Sequence, residues 1–132
     1  MAQTKIKYVD GKKFIAENRT HRTIIDLPKE SGGIDQGLTP QEAFISSLGS
    51  CVGVYVIGYC DKVGLNTQGL NIVVDWEKEA QAKPYYINKI SIRIELPNAD
   101  VGPRKPALLK IAESCLIHET IKNDPDISIE LV

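Results

Sequence analysis

Three cysteines carry the most reactive side-chain chemistry in this sequence: Cys51, Cys60 and Cys115. A cysteine attacks as its thiolate, and a nearby cation lowers the thiol pKa and favours that form. Cys51 and Cys60 lie nine residues apart in one predicted helix, about 900° of rotation, so they point to opposite faces. The sequence therefore leaves a pair between Cys51 and Cys115 open. The alternative is that these cysteines serve as small core hydrophobes, as buried cysteines commonly do.

Several residues are candidates to tune such thiols. Arg19 and Arg22, at the turn into the third predicted strand, can supply positive charge to a thiolate, or can simply be solvated. His118 follows Cys115 by one helical turn and can tune that thiol, although a structural histidine has the same spacing. A metal site would use Cys51, Cys115 and His118, but structural zinc prefers four ligands and the sequence has no CxxC motif. We predict no metal and no cofactor.

The helix that carries the first cysteine is predicted over residues 39–64. Thr39 and Glu42 have the spacing of a capping box, and Gly64 suits a left-handed helix cap. Residues 43–59 include no charged side chain, so the helix is apolar or small on every face. An apolar run of about 17 residues is short for crossing a bilayer, and no second such run exists. We predict a buried central helix and no membrane partner.

The rest of the chain supplies strands and a second helix. Alternating polar and apolar residues predict six strands, at 3–9, 13–18, 22–27, 69–78, 86–96 and 127–132. Apolar residues at helical spacing predict the second helix, over 105–121. The order βββ-α-ββ-α-β with hairpin connections gives an α+β fold with antiparallel strands. The glycine-rich loop at 28–37 either shapes a site or simply connects two elements.

Length and composition restrict the class of protein. The 132 residues are predicted to form one domain, 1–132, and a net charge of −1 without a basic patch argues against a nucleic-acid partner. No export signal precedes the first strand, which favours the reducing cytoplasm, where a disulfide is expected to be transient and catalytic. One chain of this length has little material to cover a helix that is apolar all round. We therefore expect a homodimer in which part of that helix meets a second copy.

These residues resemble the OsmC/Ohr family of osmotically inducible and organic-hydroperoxide-resistance proteins. The shared pattern consists of TPQEAFI-x-x-LG-x-C at 39–51, KVGL at 62–65 and AE-x-C at 112–115, followed by a terminal strand. The resemblance covers essentially the whole chain. It implies a single OsmC-like domain that forms an intertwined homodimer, with sites where the two chains meet.

The resemblance also implies a two-cysteine peroxidase. Cys51 attacks the hydroperoxide as a thiolate, and the resulting sulfenic acid condenses with Cys115 to a disulfide. A dithiol reductant of the lipoyl kind then restores both thiols. The apolar surroundings of Cys51 suit organic hydroperoxides better than hydrogen peroxide.

One position departs from the best-studied branch of the family. There, a glutamate directly after the helix-opening proline pairs with an N-terminal arginine to orient the reactive cysteine. In this chain that position is Gln41, and the neighbouring acid, Glu42, lies nine residues before Cys51 and so on roughly the opposite face. The arginine is either Arg19 or Arg22. The chain thus resembles the OsmC-like branches more than a typical Ohr, and the rival expectation is a binding or scavenging protein for an apolar ligand.

Overall fold

Five strands and three α-helices make up the described part of the chain, residues 2–132 of this computed structural model. The elements are β1 (Lys5–Asp10), β2 (Lys13–Asn18), β3 (His21–Ile25), α1 (Pro40–Val63), β4 (Asn71–Lys78), β5 (Ile87–Glu95), α2 (Lys105–Glu113) and α3 (Leu116–Lys122). All strand pairs are antiparallel, which confirms the α+β class. The chain divides into two compact units, one ending at Ser46 and the other running Ser47–Val132. The expectation of a single domain over 1–132 stays a prediction.

The first unit contains a three-stranded sheet in the order β1-β2-β3. Gly11, at the first hairpin, has a φ of +50°, a left-handed conformation that glycine adopts without strain. In the register of β1 and β2, Tyr8 lies opposite Phe14, and their rings meet edge to face with centroids 5.4 Å apart. The alternation read from the sequence therefore corresponds to a real hairpin.

Asp26 anchors the loop that follows β3. Its side chain is buried and accepts hydrogen bonds from the backbone N–H groups of Leu27 at 2.8 Å, Ile34 at 3.4 Å and Gln36 at 3.1 Å. Burial is the largest single influence and raises the pKa of Asp26, but the three donors and the charge of Lys13 together outweigh it and hold that pKa below its usual value. The glycine-rich loop at 28–37 is thus wrapped around a buried carboxylate.

Helix α1 begins and ends as the sequence predicts. The Thr39 N–H donates to Glu42 Oε1 at 2.9 Å, and the Glu42 N–H donates to Thr39 Oγ1 at 3.2 Å, which completes the capping box. Hydrogen bonds to the Glu42 carboxyl from the Thr39 backbone N–H, and secondly from the Thr39 side chain, lower the pKa of that carboxyl. The helix ends at Val63, and Gly64 follows with a φ of +75°.

In the second unit, α1 packs closely on the β4–β5 hairpin. A Cβ added to Gly49 would lie 3.0 Å from Val74 Cγ2, and one added to Gly53 would lie 3.5 Å from Ile72 Cγ1. Small residues in α1 therefore let the helix approach the sheet. The buried core that results comprises Leu48, Val52, Val56, Cys60, Leu108, Ala112 and Cys115.

The chain by itself covers only part of α1. Val54 is 68% exposed and Ile57 is 37% exposed, although Val56 between them is fully buried. By length and composition α1 could cross a membrane, and the core helices of soluble proteins meet the same criteria. This partial coverage is what the sequence predicts for one copy of a chain this short.

Two details of the C-terminal third differ from the predictions. Among the described residues, none pairs with 127–132 as a strand, and Ile129 is 94% exposed. Alternation indicates a capacity to pair, but a strand forms only where a partner edge lies beside it. The predicted helix over 105–121 is in fact two helices, because Cys115 adopts extended backbone angles (φ −64°, ψ 147°) between α2 and α3.

Candidate functional site

Helix α1 positions Cys51 near its middle. The side chain is half-buried and packs against the core of the second unit, where Leu48 and Val52 of the same helix are buried. Cys51 is therefore held by a long, capped helix, yet part of it stays accessible.

The break between α2 and α3 positions Cys115. This residue is the N-cap of α3, and its Sγ accepts a hydrogen bond from the His118 N–H at 3.3 Å. Its side chain is fully buried, with no exposed surface. A sulfur atom here takes the role that a serine or asparagine oxygen usually plays at a helix start.

The Cys51 side chain lies close enough to Cys115 to act on its thiol, and both thiols are free. Burial raises the pKa of Cys115 above its ordinary 9.0; the bond from the His118 N–H opposes this, and the neighbouring Cys51 adds to it. The net effect keeps Cys115 protonated at neutral pH. The structure thus brings together the two cysteines that the sequence left open as a pair.

Cys60 lies elsewhere in the same core and is fully buried. Burial, and then the negative charge of Asp61, raise the pKa of its thiol. Both effects oppose thiolate formation, so Cys60 has the surroundings of an inert core cysteine.

The predicted partners of the thiolate lie in the first unit. Arg22 Nη2 pairs with Glu17 Oε1 at 3.2 Å across β2 and β3, and Lys7 Nζ pairs with Glu17 Oε2 at 3.0 Å. The hydrogen bond from Lys7 is the main cause of the lowered pKa of Glu17. Arg19 occupies the hairpin turn between β2 and β3 with a φ of +52°. The action of either arginine on Cys51 stays a prediction.

Gln41 and Glu42 lie in the first turn of α1. Glu42 is engaged with Thr39 in the capping box, as the sequence predicts, and Gln41 is half-buried. A role for either residue in orienting Cys51 stays a prediction. Within residues 2–132, no group of three or more His, Cys, Asp or Glu side chains is arranged to hold a metal ion.

An apolar groove of about 420 Å³ opens in the second unit. This volume suits a small organic molecule. Its walls come from four elements: Leu48 and Val52 of α1, which flank the position of Cys51, the inner face of β5, and parts of α2 and α3. The sequence analysis missed this groove because no single segment carries its pattern. The polar groups among its lining are Asn88, Lys89, Glu113 and His118.

His118 is fixed at this groove by two bonds. Besides the bond from its backbone N–H to Cys115, its ring Nδ1 lies 2.9 Å from the Glu113 carbonyl oxygen. A carbonyl oxygen only accepts, so this hydrogen-bond network assigns the proton to Nδ1 and leaves the lone pair of the neutral ring on Nε2.

Comparison with known proteins identifies a family. A model of the OsmC-like protein family matches residues 32–130. A search of curated proteins by sequence returned no match.

Solved structures share the fold. A protein from Psychrobacter arcticus 273-4, described as osmotic stress induced and as a detoxification response protein, has a TM-score of 0.80 at 18% identity, covering 91% of this chain and 88% of that one. An OsmC-like protein from Mycoplasma pneumoniae has a TM-score of 0.77 at 16% identity, with 94% and 89% covered. An organic hydroperoxide resistance protein OsmC from Legionella pneumophila has a TM-score of 0.68 at 12% identity, with 94% and 92% covered. Identities this low establish the fold alone.

Proposed function

Because the chain belongs to the OsmC-like protein family, we propose that it reduces organic hydroperoxides as a two-cysteine, thiol-dependent peroxidase. Membership of the family, and likeness to a hydroperoxide resistance protein, support a stress-related function of the OsmC type. With Gln41 after the helix-opening proline, the chain is closer to the OsmC-like branches than to a typical Ohr. The finer proposal is carried by one observation, the proximity of the Cys51 side chain to the buried Cys115 thiol.

The proposed cycle starts at Cys51. Its thiolate attacks the terminal oxygen of R–O–OH, the O–O bond breaks, and the alcohol R–OH leaves with a proton, so that Cys51 becomes a sulfenic acid. Cys115 then attacks the Cys51 sulfur, forming a disulfide and releasing water. A dithiol reductant of the lipoyl kind returns both thiols and is itself oxidised to a disulfide. No cofactor enters this chemistry.

Differences in burial support this order of events. Cys51 is half-buried, whereas Cys115 has no exposed surface and a raised thiol pKa. A hydroperoxide arriving from solvent therefore meets Cys51 first. Cys115 is protected from direct oxidation and has the Cys51 side chain as a near neighbour.

The apolar groove supports an organic rather than an inorganic peroxide as substrate. Its lining is mainly Leu, Ile and Val side chains, and two of its residues, Leu48 and Val52, flank Cys51 in α1. Hydrogen peroxide gains nothing from such a surface, whereas the apolar body of an alkyl or aryl hydroperoxide does.

We also propose that the protein acts as a cytoplasmic homodimer. Exposed apolar residues of α1, such as Val54, and the extended apolar C-terminal segment, residues 127–132, support a second copy as the partner. The arginine that stabilises the Cys51 thiolate, Arg19 or Arg22, is then supplied within that assembly.

The test compares turnover of cumene and tert-butyl hydroperoxide by wild type, Cys51→Ser and Cys115→Ser, with Cys60→Ser as the matched control. We expect Cys51→Ser to lose turnover and Cys60→Ser to keep it. Cys115→Ser is expected to react once and to retain a sulfenic acid that a dimedone-type reagent traps at Cys51. Unchanged turnover in Cys51→Ser would contradict the proposal.

A binding or scavenging function is the second candidate, and Gln41 in place of the family glutamate favours it. In that case the groove holds an apolar ligand and the cysteines react slowly. A Gln41→Glu variant separates the two functions. A large gain in turnover identifies a peroxidase site that lacks one part, whereas the absence of any gain, with tight binding of an apolar fluorescent probe, favours binding.

A further inference from the structure

Disulfide formation requires a group that accepts the proton of the Cys115 thiol, and neither cysteine supplies one. Cys115 must lose its proton to attack the Cys51 sulfur, yet it is fully buried and its thiol pKa is raised. A thiol in these surroundings needs a base near its sulfur. The candidate on α3 whose backbone contacts this sulfur is His118.

Two hydrogen bonds place His118 beside Cys115 and fix its ring. Its backbone N–H donates to Cys115 Sγ at 3.3 Å, which ties the residue to the reacting sulfur. Its ring is held in place by the bond of 2.9 Å between Nδ1 and the Glu113 carbonyl oxygen, and it lies at the wall of the groove. The same bond leaves Nε2 as the nitrogen that accepts a proton.

The titratable neighbours of the ring come from three elements. Glu113 of α2 and Lys89 of β5 line the same groove, and the thiols of Cys115 and Cys51 complete the set. The charged side chains on α3 itself, Glu119 and Lys122, pair with each other at 3.2 Å. Among the polar residues of the groove lining, His118 supplies the imidazole, the side chain that most often acts as a general base.

We propose that His118 is the base that accepts the Cys115 proton, across at most one water, as Cys115 forms its disulfide with Cys51. The proposal rests on the proposed peroxidase function. The Cys115 sulfur bonds to the Cys51 sulfur, the S–O bond of the sulfenic acid breaks, and the proton taken by Nε2 passes to the departing hydroxide to give water. His118 returns to its neutral form, so the step balances.

The experiment follows disulfide formation after Cys51 has been oxidised by one equivalent of cumene hydroperoxide. Quenched samples of wild type, His118→Asn and His118→Gln are compared by intact mass between about pH 5 and 8, the range in which histidines change charge. His118→Asn keeps a side-chain N–H for the Glu113 carbonyl but has no basic nitrogen. His21→Asn, on β3, is the matched control.

We expect the sulfenic acid to form in all variants, and the rate of disulfide formation is measured from that point. Disulfide formation is expected to slow by about 100-fold in both His118 variants, which is the low end for a lost general base. The wild-type rate falls as the pH is lowered, and both variants lose that dependence. Added imidazole is expected to restore part of the rate in His118→Ala, which a merely structural role would not permit.

Wild-type rates and an unchanged pH profile in His118→Asn and His118→Gln would overturn the inference. Failure of the peroxidase proposal gives a different result, namely no sulfenic acid on Cys51 in wild type. In that event the thiol oxidant diamide replaces the hydroperoxide. Cys51 then forms the diamide adduct, Cys115 displaces it and must lose the same proton, and the same comparison of variants decides the role of His118.

Discussion

The two neighbouring thiols, Cys51 and Cys115, differ in burial. Cys51 is half-buried on a helix face, whereas Cys115 is fully enclosed and caps α3 with its sulfur. The order of reaction in the proposed cycle follows from this difference in access. His118 matters at this scale because its backbone N–H donates to the enclosed sulfur and its ring is fixed by the Glu113 carbonyl oxygen.

The buried thiols give the stability of the protein an alkaline limit. The pKa values of Cys60 and Cys115 are raised above the ordinary 9.0, so the folded state prefers their protonated forms. Their contribution is complete below pH 9.0 and is lost as the pH rises through the raised values. We expect the free energy of unfolding to fall above pH 9.0 and to fall less steeply in Cys60→Ala. Urea unfolding across this range measures both, and equal slopes would contradict the prediction.

Asp26 gives the opposite dependence on pH. Its pKa is held below the ordinary 3.8, so its contribution is present above pH 3.8 and is lost as the pH falls below it. Asp26→Asn keeps the size of the side chain but removes the charge that the three N–H donors face. We expect its Tm at pH 7 to fall by roughly 5 °C, with the deficit shrinking in acid. Asp10→Asn, which changes an exposed carboxylate, serves as the control. An equal fall in Tm in that variant would contradict the prediction.

At the scale of elements, α1 organises the second unit because small residues bring it close to β4. Gly49 allows the approach to Val74, and Gly53 lies opposite Ile72 with slightly more room. Glycine inside a helix is unfavourable on its own, so a glycine at a tight contact reflects packing. The helix therefore gives up some helical propensity to gain contact with the sheet.

The two glycines differ enough to be tested against each other. Gly53→Ala places its Cβ at an ordinary 3.5 Å from Ile72 and is expected to raise stability by about 0.5–1 kcal/mol. Gly49→Ala meets Val74 at 3.0 Å and is expected to gain less or to lose stability. Chemical unfolding at one fixed protein concentration measures both. An equal gain from both variants would mean that the approach of α1 to β4 is not limited at Gly49.

At the scale of the whole molecule, one copy of the chain leaves apolar side chains exposed. Val54 is 68% exposed, and in the C-terminal segment, residues 127–132, Ile127 is 78% and Ile129 94% exposed. Isolated exposed apolar residues are normal, but an alternating run of them has the pattern of a strand that lacks its neighbour. The proposed second copy would supply that neighbour.

Deleting residues 127–132 tests the contribution of this segment to the homodimer. None of these residues forms a strand or is buried within the chain, so we expect the truncated protein to remain folded. Its dimer is expected to dissociate at concentrations at which the full chain stays dimeric, as measured by light scattering after size exclusion. Replacing Ser128 and Glu130 by alanine in the full chain is the control, because it keeps the apolar residues. Identical dimer stability after deletion would exclude the segment from the interface.

Local patterns in the sequence were enough to predict most of the elements. The capping box of α1, its end at Gly64 and five of the six predicted strands lie within two residues of their predicted positions. Each of these features depends on residues a few positions apart, and hydrophobic period, caps and turns are encoded at that range. The candidate pair of Cys51 and Cys115 could also be identified from the sequence, since spacing excluded Cys60 as the partner of Cys51 in one helix.

The tertiary structure decided everything that depends on residues distant in the chain. The break at Cys115 was missed because a continuous apolar spacing hides one residue with extended backbone angles. Three features join groups that no local sequence pattern connects. They are the groove, the hydrogen bonds from the loop backbone to Asp26, and the bond from His118 to Glu113. The segment 127–132 was predicted as a strand from its alternation. Whether such a segment pairs is settled by an edge beside it, which sequence period cannot supply.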